Sequence, residues 1–429
     1  MSGWTMQKLV SANLALAGAA FCFSCFSVFS QKFLKELNSP SWVGATIMLI
    51  EHFVGFFVQP LAGLLSDRTT TKIGRRRPFL IVGAVLLSIS QIFIGMAAEI
   101  AGLIFATDSA QYFQFVRIWL VCGHFVVNFS FNLEVVAFRA LIADVVPVSI
   151  QNWSVMAAGT MIGGAFLINN VIVFILDELK VSRYKEIFPL LSVVAALINV
   201  ILVLPTIFSA NEKVVIEKQR GSYGKQLFAE LKAMNKVFSI LMLPLLFGWC
   251  GYLPVQQYVD LVFAQNTLPK ICLHGVSAIA SPIFGKFLHK LGERRVFIVG
   301  GWTYLAATSF LILSCLIKGF LNIWSLSAEF ALIGLLNCAN NTLPYIYVAK
   351  LAPIQSRGLH TGVFNCANVL GKVVANVILV IVKSCDTNLD NTLWSTMVFG
   401  VVVGVCVMFC EDSDKLQKHG EVEEKEQLI

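Results

Sequence analysis

The sequence predicts an all-α membrane protein whose twelve transmembrane helices form two pseudo-symmetric six-helix bundles. Three observations lead to this fold class. The composition is too apolar for a water-soluble domain, twelve apolar windows are long enough to cross a bilayer, and one loop motif occurs in both halves of the chain. Together they predict a chain that lies almost entirely within a lipid bilayer.

The composition separates the chain from soluble proteins. Of its 429 residues, 57% are hydrophobic and 13% are charged, whereas soluble domains carry about 25% charged residues. No phosphate-binding loop, nucleophile triad or zinc-ligand spacing occurs in the sequence. We therefore expect neither an enzyme nor a metal or cofactor site. The net charge of +7 fits basic membrane loops rather than nucleic-acid binding.

Twelve apolar windows follow one another along the chain. A transmembrane helix needs about 20 apolar residues, and its backbone must satisfy its own hydrogen bonds in lipid. The fourth and tenth windows carry more polar residues than the others. The windows lie near 9–31, 41–65, 79–100, 113–138, 153–176, 187–208, 238–263, 269–288, 296–317, 322–348, 359–382 and 392–410.

Basic residues concentrate in the loops that follow even-numbered spans. The positive-inside rule places these loops and both termini in the cytosol. Plasma membrane is preferred over an internal membrane for this multi-pass protein. The loop cations are Arg68, Lys72, Arg75, Arg76, Arg77, Lys213, Lys218, Arg220, Lys225, Lys232, Lys236, Lys290, Arg294, Arg295, Lys350 and Arg357.

The longest hydrophilic connection falls near the middle of the chain. It divides the sequence into an N-terminal bundle (1–208), a cytosolic linker (209–237) and a C-terminal bundle (238–410). The remaining residues, 411–429, are rich in charge and predict a disordered cytosolic tail.

The two predicted bundles share a motif between their second and third spans. The spacing Pro-x-x-Gly-x-x-x begins at Pro60 and again 222 residues later at Pro282, and each copy ends in a Gly-x-Arg-Arg loop. Parallel repeats of this kind occur in two-half transporters, which bind substrate near the midplane between the halves. A substrate site is therefore expected between residues of both bundles.

The repeated motif predicts a gate, because membrane anchoring alone does not explain its glycine spacing or its second copy. Small residues allow close helix approach, and an acid beside arginine can pair with charges or with helix ends on a neighbour. The alternative is a basic anchor without a gating role. The predicted gating residues are Gly63, Asp67, Arg68, Gly74, Arg75, Arg76, Gly285, Arg294 and Arg295.

The stretch VQPLAGLLSDRTTTKIGRRRPF (58–79) resembles the loop signature of the major facilitator superfamily. More narrowly, it resembles the sucrose–proton symporters of plants and their relatives in the glycoside–cation symporter group. RALIADV (139–145) and RGLHTGVFNCANV (357–369) resemble the end of span four and the start of span eleven in that group. The resemblance implies the major facilitator fold, a central sugar site and alternating access driven by a proton gradient.

One position and one short stretch depart from the pattern of that family. Its members carry a proton-binding aspartate eleven residues before the span-four arginine, where this chain has Asn128. An amide cannot carry that proton. In span one, FCFSCFS (21–27) replaces the family's polar and aromatic residues. Proton coupling therefore requires another acid, and sucrose is only one of the glycosides to consider.

Polar residues inside the spans are candidates for the site, because ionisable groups are costly in lipid. Asn128, Asn132 and Arg139 share one face of span four at a helical period of 3.6 residues. We expect them to bind substrate together with Asn341 and Asn365 of the second half. For Asn341 and Asn365 the alternative is helix packing, and for Arg139 it is a basic anchor at the cytosolic boundary. Asn337, Asn340 and Asn368 are further possible contributors to that half.

Two acids are candidates for the proton carrier. Glu51 lies mid-span in TIMLIEHFVGFF, and Glu134 lies five residues before Arg139. Six positions past Asn128, Glu134 points partly to another side of span four. Burial raises a carboxyl pKa, and pairing with Arg139 would lower it again, so either acid could act as a switch. The alternative for each is a structural hydrogen bond between helices.

These features favour a secondary active transporter that moves a small polar solute, in the first place a sugar such as sucrose or another glycoside, by alternating access with proton symport. Its partners are then the solute, protons and the bilayer. Two alternatives remain. One is an uncoupled facilitator or a transporter of an amino acid or organic acid, whose carboxylate would pair with Arg139. The other is a receptor or scaffold that does not transport.

Overall fold

A computed structural model describes residues 3–180, 184–212, 224–225, 228–229, 232, 236–262, 267–317, 322–385 and 390–413. Most of the predicted linker 209–237 and tail 411–429 lies outside these residues. Within the described residues the regular structure is helical throughout. The prediction of an all-α fold is therefore confirmed.

The described residues form twelve α-helices, which we number in chain order. They are α1 Met6–Glu36, α2 Ser41–Arg68, α3 Arg77–Gly95, α4 Ala97–Ile104, α5 Ala110–Val145, α6 Gln151–Glu178, α7 Tyr184–Ser209, α8 Lys236–Val262, α9 Leu268–Leu316, α10 Ile323–Leu351, α11 Arg357–Cys385 and α12 Asp390–Cys406.

The twelve helices of the structure do not correspond one-to-one to the twelve predicted spans. The eight-residue α4 is too short to cross a bilayer, whereas α9 contains both the eighth and the ninth predicted spans. Gly292 separates them, because its φ of +80° lies outside the helical region and in a region that favours glycine. The remaining ten helices correspond to the other ten predicted spans.

Local sequence signals explain where several helices begin. Thr5 accepts a hydrogen bond from the backbone N–H of Lys8 at the start of α1. Ser109 does the same for Tyr112 at the start of α5. Asn322 and Ser325 form a reciprocal capping box at α10. Such side chains satisfy N–H groups that the first helical turn leaves free.

Apolar residues make the long helices suitable for a bilayer. Among the described residues, eight helical segments of 18 residues or more are apolar enough to cross a membrane, and Ile240–Pro254 and Thr396–Phe409 are shorter apolar helices. Large side chains such as Ile201 and Phe208 of α7 are exposed on the outside of the protein. The chain is an integral, multi-pass membrane protein.

Helix ends lie on two faces of the molecule, as contacts between loops show: Arg75 bonds to Ile354 on one face, and Arg117 bonds to Leu37 on the other. We call the face with residues 69–76, 146–150 and 352–356 the loop face. The opposite face carries residues 37–40 and 105–109.

The helices pack into a first group, α1–α7, and a second group, α8–α12, which meet along two helix pairs. A large core joins α1, α3, α5 and α7 with part of α6, and a second core joins α9, α10 and α12. The first group contacts the second mainly through α2 against α11 and α6 against α9. The space between the groups, bounded by these pairs, holds the candidate site.

Candidate functional site

An inner cavity of about 160 Å³ lies between the two helix groups. All five predicted substrate residues line it: Asn128, Asn132 and Arg139 from α5, Asn341 from α10 and Asn365 from α11. The helical period that placed the three α5 residues on one face therefore directs them toward residues of the second group.

The two asparagines of α5 direct their side-chain oxygens away from their own helix. Nδ2 of Asn128 donates to the carbonyl of His124 at 2.8 Å, and Nδ2 of Asn132 donates to the carbonyl of Asn128 at 2.7 Å. Oδ1 of Asn132 accepts a hydrogen bond from Gln59 of α2 at 2.5 Å. Oδ1 of Asn128 is buried and has no hydrogen-bond partner, so it is available to a ligand hydroxyl.

Arg139 is held by stacking rather than by hydrogen bonds. Its guanidinium carbon lies 3.4 Å from the centre of the Tyr345 ring of α10. Nε and Nη1 are buried and have no hydrogen-bond partner. Stacking on an aromatic face leaves the planar edge of a guanidinium available to accepting groups.

Asparagines of α10 and α11 form the facing wall. Asn341 donates to the carbonyl of Asn337 at 2.9 Å and to its Oδ1 at 3.0 Å. Asn368 donates to Oδ1 of Asn365 at 3.2 Å, while its own Oδ1 is buried without a hydrogen-bond partner. Asn340 lines neither of the two cavities described here and instead lies against Gly248 of α8.

Aromatic rings complete the inner cavity. Phe23 of α1 stacks on Phe131 of α5 with ring centroids 4.3 Å apart, and Phe166 and Trp249 also line the space. Binding pockets for small molecules combine apolar walls with a few polar groups in this way. Phe23 belongs to FCFSCFS, so the stretch that departs from the family pattern still contributes to the wall.

An outer cavity of about 230 Å³ adjoins the inner one and shares several of its lining residues. Ser27, Gln31 and Lys32 line it near the end of α1 that belongs to the opposite face. Together the two cavities extend from the centre of the protein toward the opposite face.

Glu51 lines both cavities and forms an ion pair with a residue that we did not single out from the sequence. Its Oε1 lies 3.1 Å from Nζ of Lys372 on α11, and Nζ lies 4.5 Å from the Trp249 ring centre. The signal was present, since Lys372 is an ionisable residue in the middle of a span. The pair links α2 to α11 within the cavity wall.

Glu134 lies away from the cavities, where it makes a hydrogen bond between helices. It is fully buried among α3, α5 and α7, where Asn199 donates to its Oε2 at 3.4 Å and Gly83 packs against it. It lines neither cavity. In this structure neither candidate acid pairs with Arg139, because Glu134 is directed toward Asn199 and Glu51 pairs with Lys372.

The predicted gating residues of the first motif copy meet the second helix group at the loop face. Asp67 forms a buried ion pair with Arg76. Its two carboxylate oxygens accept the backbone N–H groups of Gly358 at 3.1 Å and Leu359 at 2.9 Å. Asp67 at the end of α2 thus caps the first turn of α11, where a negative charge is favoured.

Arg75 extends the contact between the groups. Its Nη2 lies 2.8 Å from Asp144 of α5 and donates to the carbonyl of Ile354 at 2.7 Å. Arg357 reaches back from α11 to the carbonyl of Ala143 at 2.8 Å. These bonds join the loop before α3, the end of α5 and the start of α11, so they close the loop face.

Two glycines and a neighbouring cation complete the first copy. The backbone of Gly63 lies so close to the carbonyl of Gly358 that a Cβ would overlap it. Gly74 has a φ of +102°, and Glu212 caps the start of α3 by accepting the N–H groups of Arg76 and Arg77, each at 2.9 Å. Arg68 is buried at the end of α2.

The second copy is built differently. Gly285 packs against Met156 and Trp153 of α6, so it lies at a contact between the groups. Arg294 and Arg295 are exposed. The backbone N–H of Arg294 donates to Asp412 at 2.9 Å, and its Nη2 donates to the carbonyl of Met408 at 3.1 Å, both in its own group. The sequence-based expectation that Arg294 belongs to a gate between halves is not supported by these contacts.

Two family profiles match the chain. One, described as "MFS/sugar transport protein", covers residues 13–319, and the other, described as "Major Facilitator Superfamily", covers residues 272–428. The chain belongs to the major facilitator superfamily. Curated relatives that transport sucrose or alpha-glucosides are similar to parts of this chain, which agrees with the resemblance of the motif at 58–79.

Individual relatives are similar over parts of this superfamily member. A general alpha-glucoside permease of Schizosaccharomyces pombe is 27% identical over 259 residues, which are 56% of this chain and 44% of the permease. The sucrose transport protein SUC4 of Arabidopsis thaliana is 39% identical over 112 residues, or 26% of this chain and 22% of that protein. The matched region is less than half the length of each relative.

The whole fold is similar to a solved structure of the superfamily. The proton:xylose symporter XylE, bound to 6-bromo-6-deoxy-D-glucose, superposes with a TM-score of 0.70 over 96% of this chain and 97% of that one, at 14% sequence identity. The predicted major facilitator fold is confirmed.

Proposed function

We propose that this protein is a secondary transporter, not an enzyme, which moves a sugar or another glycoside across the membrane by alternating access. One observation carries the proposal: asparagines and an arginine from both helix groups line one cavity between those groups. The similarity to an alpha-glucoside permease and to a sucrose transport protein supports a glycoside as the cargo.

The central space is closed at one end and extends toward the surface at the other, which supports alternating access. Asp67, Arg75 and Arg357 bond across the groups at the loop face, while the outer cavity extends toward the opposite face. Transport then requires that these bonds break and that the helix groups rock so the cavity reaches the loop face. Residues 1–208 and 238–410 would move as the two bundles, joined by the linker 209–237.

The basic loops orient the protein in this proposal. Arg75, Arg76 and Arg77 lie on or next to the loop face, which the positive-inside rule assigns to the cytosol. Both termini and the tail 411–429 are then cytosolic, and the cavity of this structure faces outward. We place the protein in the plasma membrane.

Glu51 is the proposed proton carrier. It lines the cavity and pairs with Lys372, whereas Glu134 is enclosed within the first helix group. A proton on Glu51 would cancel its charge and release Lys372, so α2 and α11 could separate. Deprotonation would restore the pair. This cycle links the protonation of one cavity residue to contact between the groups.

An uncoupled facilitator is the second candidate, and a specific observation favours it. Asn128 replaces the family's acid, and Lys372 already neutralises Glu51 at 3.1 Å. A permanently paired Glu51 would hold no exchangeable proton, and solute would then move only down its own gradient.

Uptake into proteoliposomes tests both candidates. Purified protein should take up radiolabelled sucrose, maltose or glucose, and an imposed proton gradient should drive accumulation above the external concentration. Glu51→Gln should keep equilibrating uptake but lose accumulation. Equilibration without accumulation in the wild type supports the facilitator. If correctly inserted protein takes up no sugar from the panel, the proposed function is wrong.

A further inference from the structure

The wall of the inner cavity carries a positive charge for which the described lining residues offer no counter-ion. We infer that the preferred cargo is an acidic sugar, meaning a hydroxylated solute that carries one carboxylate or phosphate group. This inference rests on the sugar transport proposed above and narrows its substrate class.

Arg139 is the source of the imbalance. Among the described residues that line the inner cavity, Arg139 and Lys372 are the cations and Glu51 is the sole carboxylate, and Glu51 is paired with Lys372 at 3.1 Å. Lys32 is paired with Asp177 at 2.9 Å. Nε and Nη1 of Arg139 are buried without a hydrogen-bond partner, and Tyr345 covers only a face of the guanidinium.

Neither nearby acid of α5 pairs with Arg139; one of them, Asp144, pairs instead with Arg75 and Arg76. The other polar residues on its cavity-facing side, Asn128 and Asn132, are neutral amides, and Glu134 is directed toward Asn199 of α7. A buried charge without a counter-ion is unfavourable. An anionic group on the cargo would supply the missing counter-ion, and the planar guanidinium matches a carboxylate or a phosphate in shape.

The remaining free atoms require hydroxyl groups on the same solute. Oδ1 of Asn128 and Oδ1 of Asn368 are buried acceptors without donors. Carboxylate and phosphate oxygens cannot donate to them, whereas sugar hydroxyls can. The cargo would thus place its anionic group at Arg139 and its hydroxyls at the asparagines, with an apolar ring face against Phe23 or Trp249.

Competition for uptake tests this inference. In proteoliposomes that take up radiolabelled glucose, unlabelled glucuronate and glucose 6-phosphate should compete at roughly tenfold lower concentrations than sucrose or methyl glucoside, the size expected for one added ion pair in a cavity. Thermal stabilisation of the purified protein by the same compounds gives a readout that does not depend on transport. Glucuronate and glucose 6-phosphate distinguish a carboxylate from a phosphate, and a preference for either supports the inference.

Two variants locate the effect at Arg139. Asn128→Asp adds a negative charge to the same wall, and Arg139→Gln removes the positive one. Each should abolish most of the roughly tenfold advantage of acidic sugars in the stabilisation assay. Asn211→Asp, at an exposed position bonded to Arg77 on the loop face, adds the same charge outside the cavities and should leave that advantage unchanged.

Each outcome has a distinct meaning. Equal competition by acidic and neutral sugars overturns the inference and leaves sugar transport standing. An acidic preference that persists in both Asn128→Asp and Arg139→Gln also overturns it. If no sugar of either kind is bound or taken up, the proposed function itself fails.

Discussion

The carboxylate of Asp67 joins α2 to α11, so replacing Asp67 by asparagine should favour opening of the loop face. Its oxygens accept two backbone N–H groups, from Gly358 at 3.1 Å and Leu359 at 2.9 Å. The ion pair with Arg76 lies within the first helix group and should survive opening. The bonds to α11 are those that distinguish the closed from the open loop face.

The size of the effect follows from these two bonds. A hydrogen bond to a charged group contributes about 1.5–3 kcal/mol, and a neutral one about 1 kcal/mol. Asparagine keeps one neutral acceptor and loses the charge, so the closed loop face loses about 2–5 kcal/mol relative to the open one. That lowers the ratio of closed to open protein by roughly 30-fold or more.

Labelling of a reporter cysteine measures this shift. Gln31 lines the outer cavity, and Gln31→Cys should react with a membrane-impermeant maleimide while the loop face is closed. Adding Asp67→Asn should slow the reaction, because the cavity then spends less time open to the opposite face.

Arg294→Gln is the matched control. Its side chain belongs to the second motif copy but bonds within its own group, so the labelling rate should not change. An unchanged rate in correctly folded Asp67→Asn, or an equal slowing in Arg294→Gln, would refute the reasoning.

Three further predictions concern the helix crossing, the ion pair and the stacked arginine. Gly63→Leu should reduce sugar uptake roughly tenfold or more by overpacking α2 against α11, whereas Gly285→Ala should be tolerated because its new Cβ would lie 3.2 Å from the flexible Met156; equal losses would contradict this. Lys372→Gln should abolish proton-driven accumulation because Glu51 loses its ion pair, and unchanged accumulation ratios would count against the proposed coupling. Tyr345→Ala should raise KM about fivefold through loss of a cation–π contact of about 1 kcal/mol, while Tyr345→Phe should not; the same KM for both variants would show that the stack is unimportant.

The sequence predicted those parts of the site that depend on one helix. Asn128, Asn132 and Arg139 share a face because three turns of helix separate the first from the last, and all three line the cavity. The same periodicity turns Glu134 away, six positions after Asn128. It could be calculated from the sequence that Glu134 lies off the polar face, but not that Asn199 of α7 would meet it there.

Contacts between residues far apart in the sequence could not be predicted from helical periodicity. The pairing of Glu51 with Lys372 joins residues 321 positions apart, and no local pattern relates them. Asp144, which pairs with both Arg75 and Arg76, lay within a recognised motif but without an assigned partner. Each predicted span could be recognised from its own apolar run. That two spans lie in the single helix α9 could not be predicted, because it depends on the backbone conformation around Gly292.

The two copies of the motif also differ in charge, and the difference bears on how the loop face opens. Arg75 of the first copy bonds to Asp144 at the end of α5. The corresponding contact of the second copy has the opposite polarity, with Glu293 bonded at 2.7 Å to Lys350 at the end of α10.

Among the described residues, charged side chains of the first copy form hydrogen bonds with the other helix group, and those of the second copy do not. Asp67 reaches α11 through two hydrogen bonds, whereas Gly285 of the second copy packs against the apolar side chains of Met156 and Trp153 on α6. Buried, charge-assisted bonds are directional and are lost over a short displacement, but apolar side chains can slide while they stay in contact. We therefore expect opening to begin with separation of α2 from α11, while α6 and α9 remain packed and act as the hinge side of the movement.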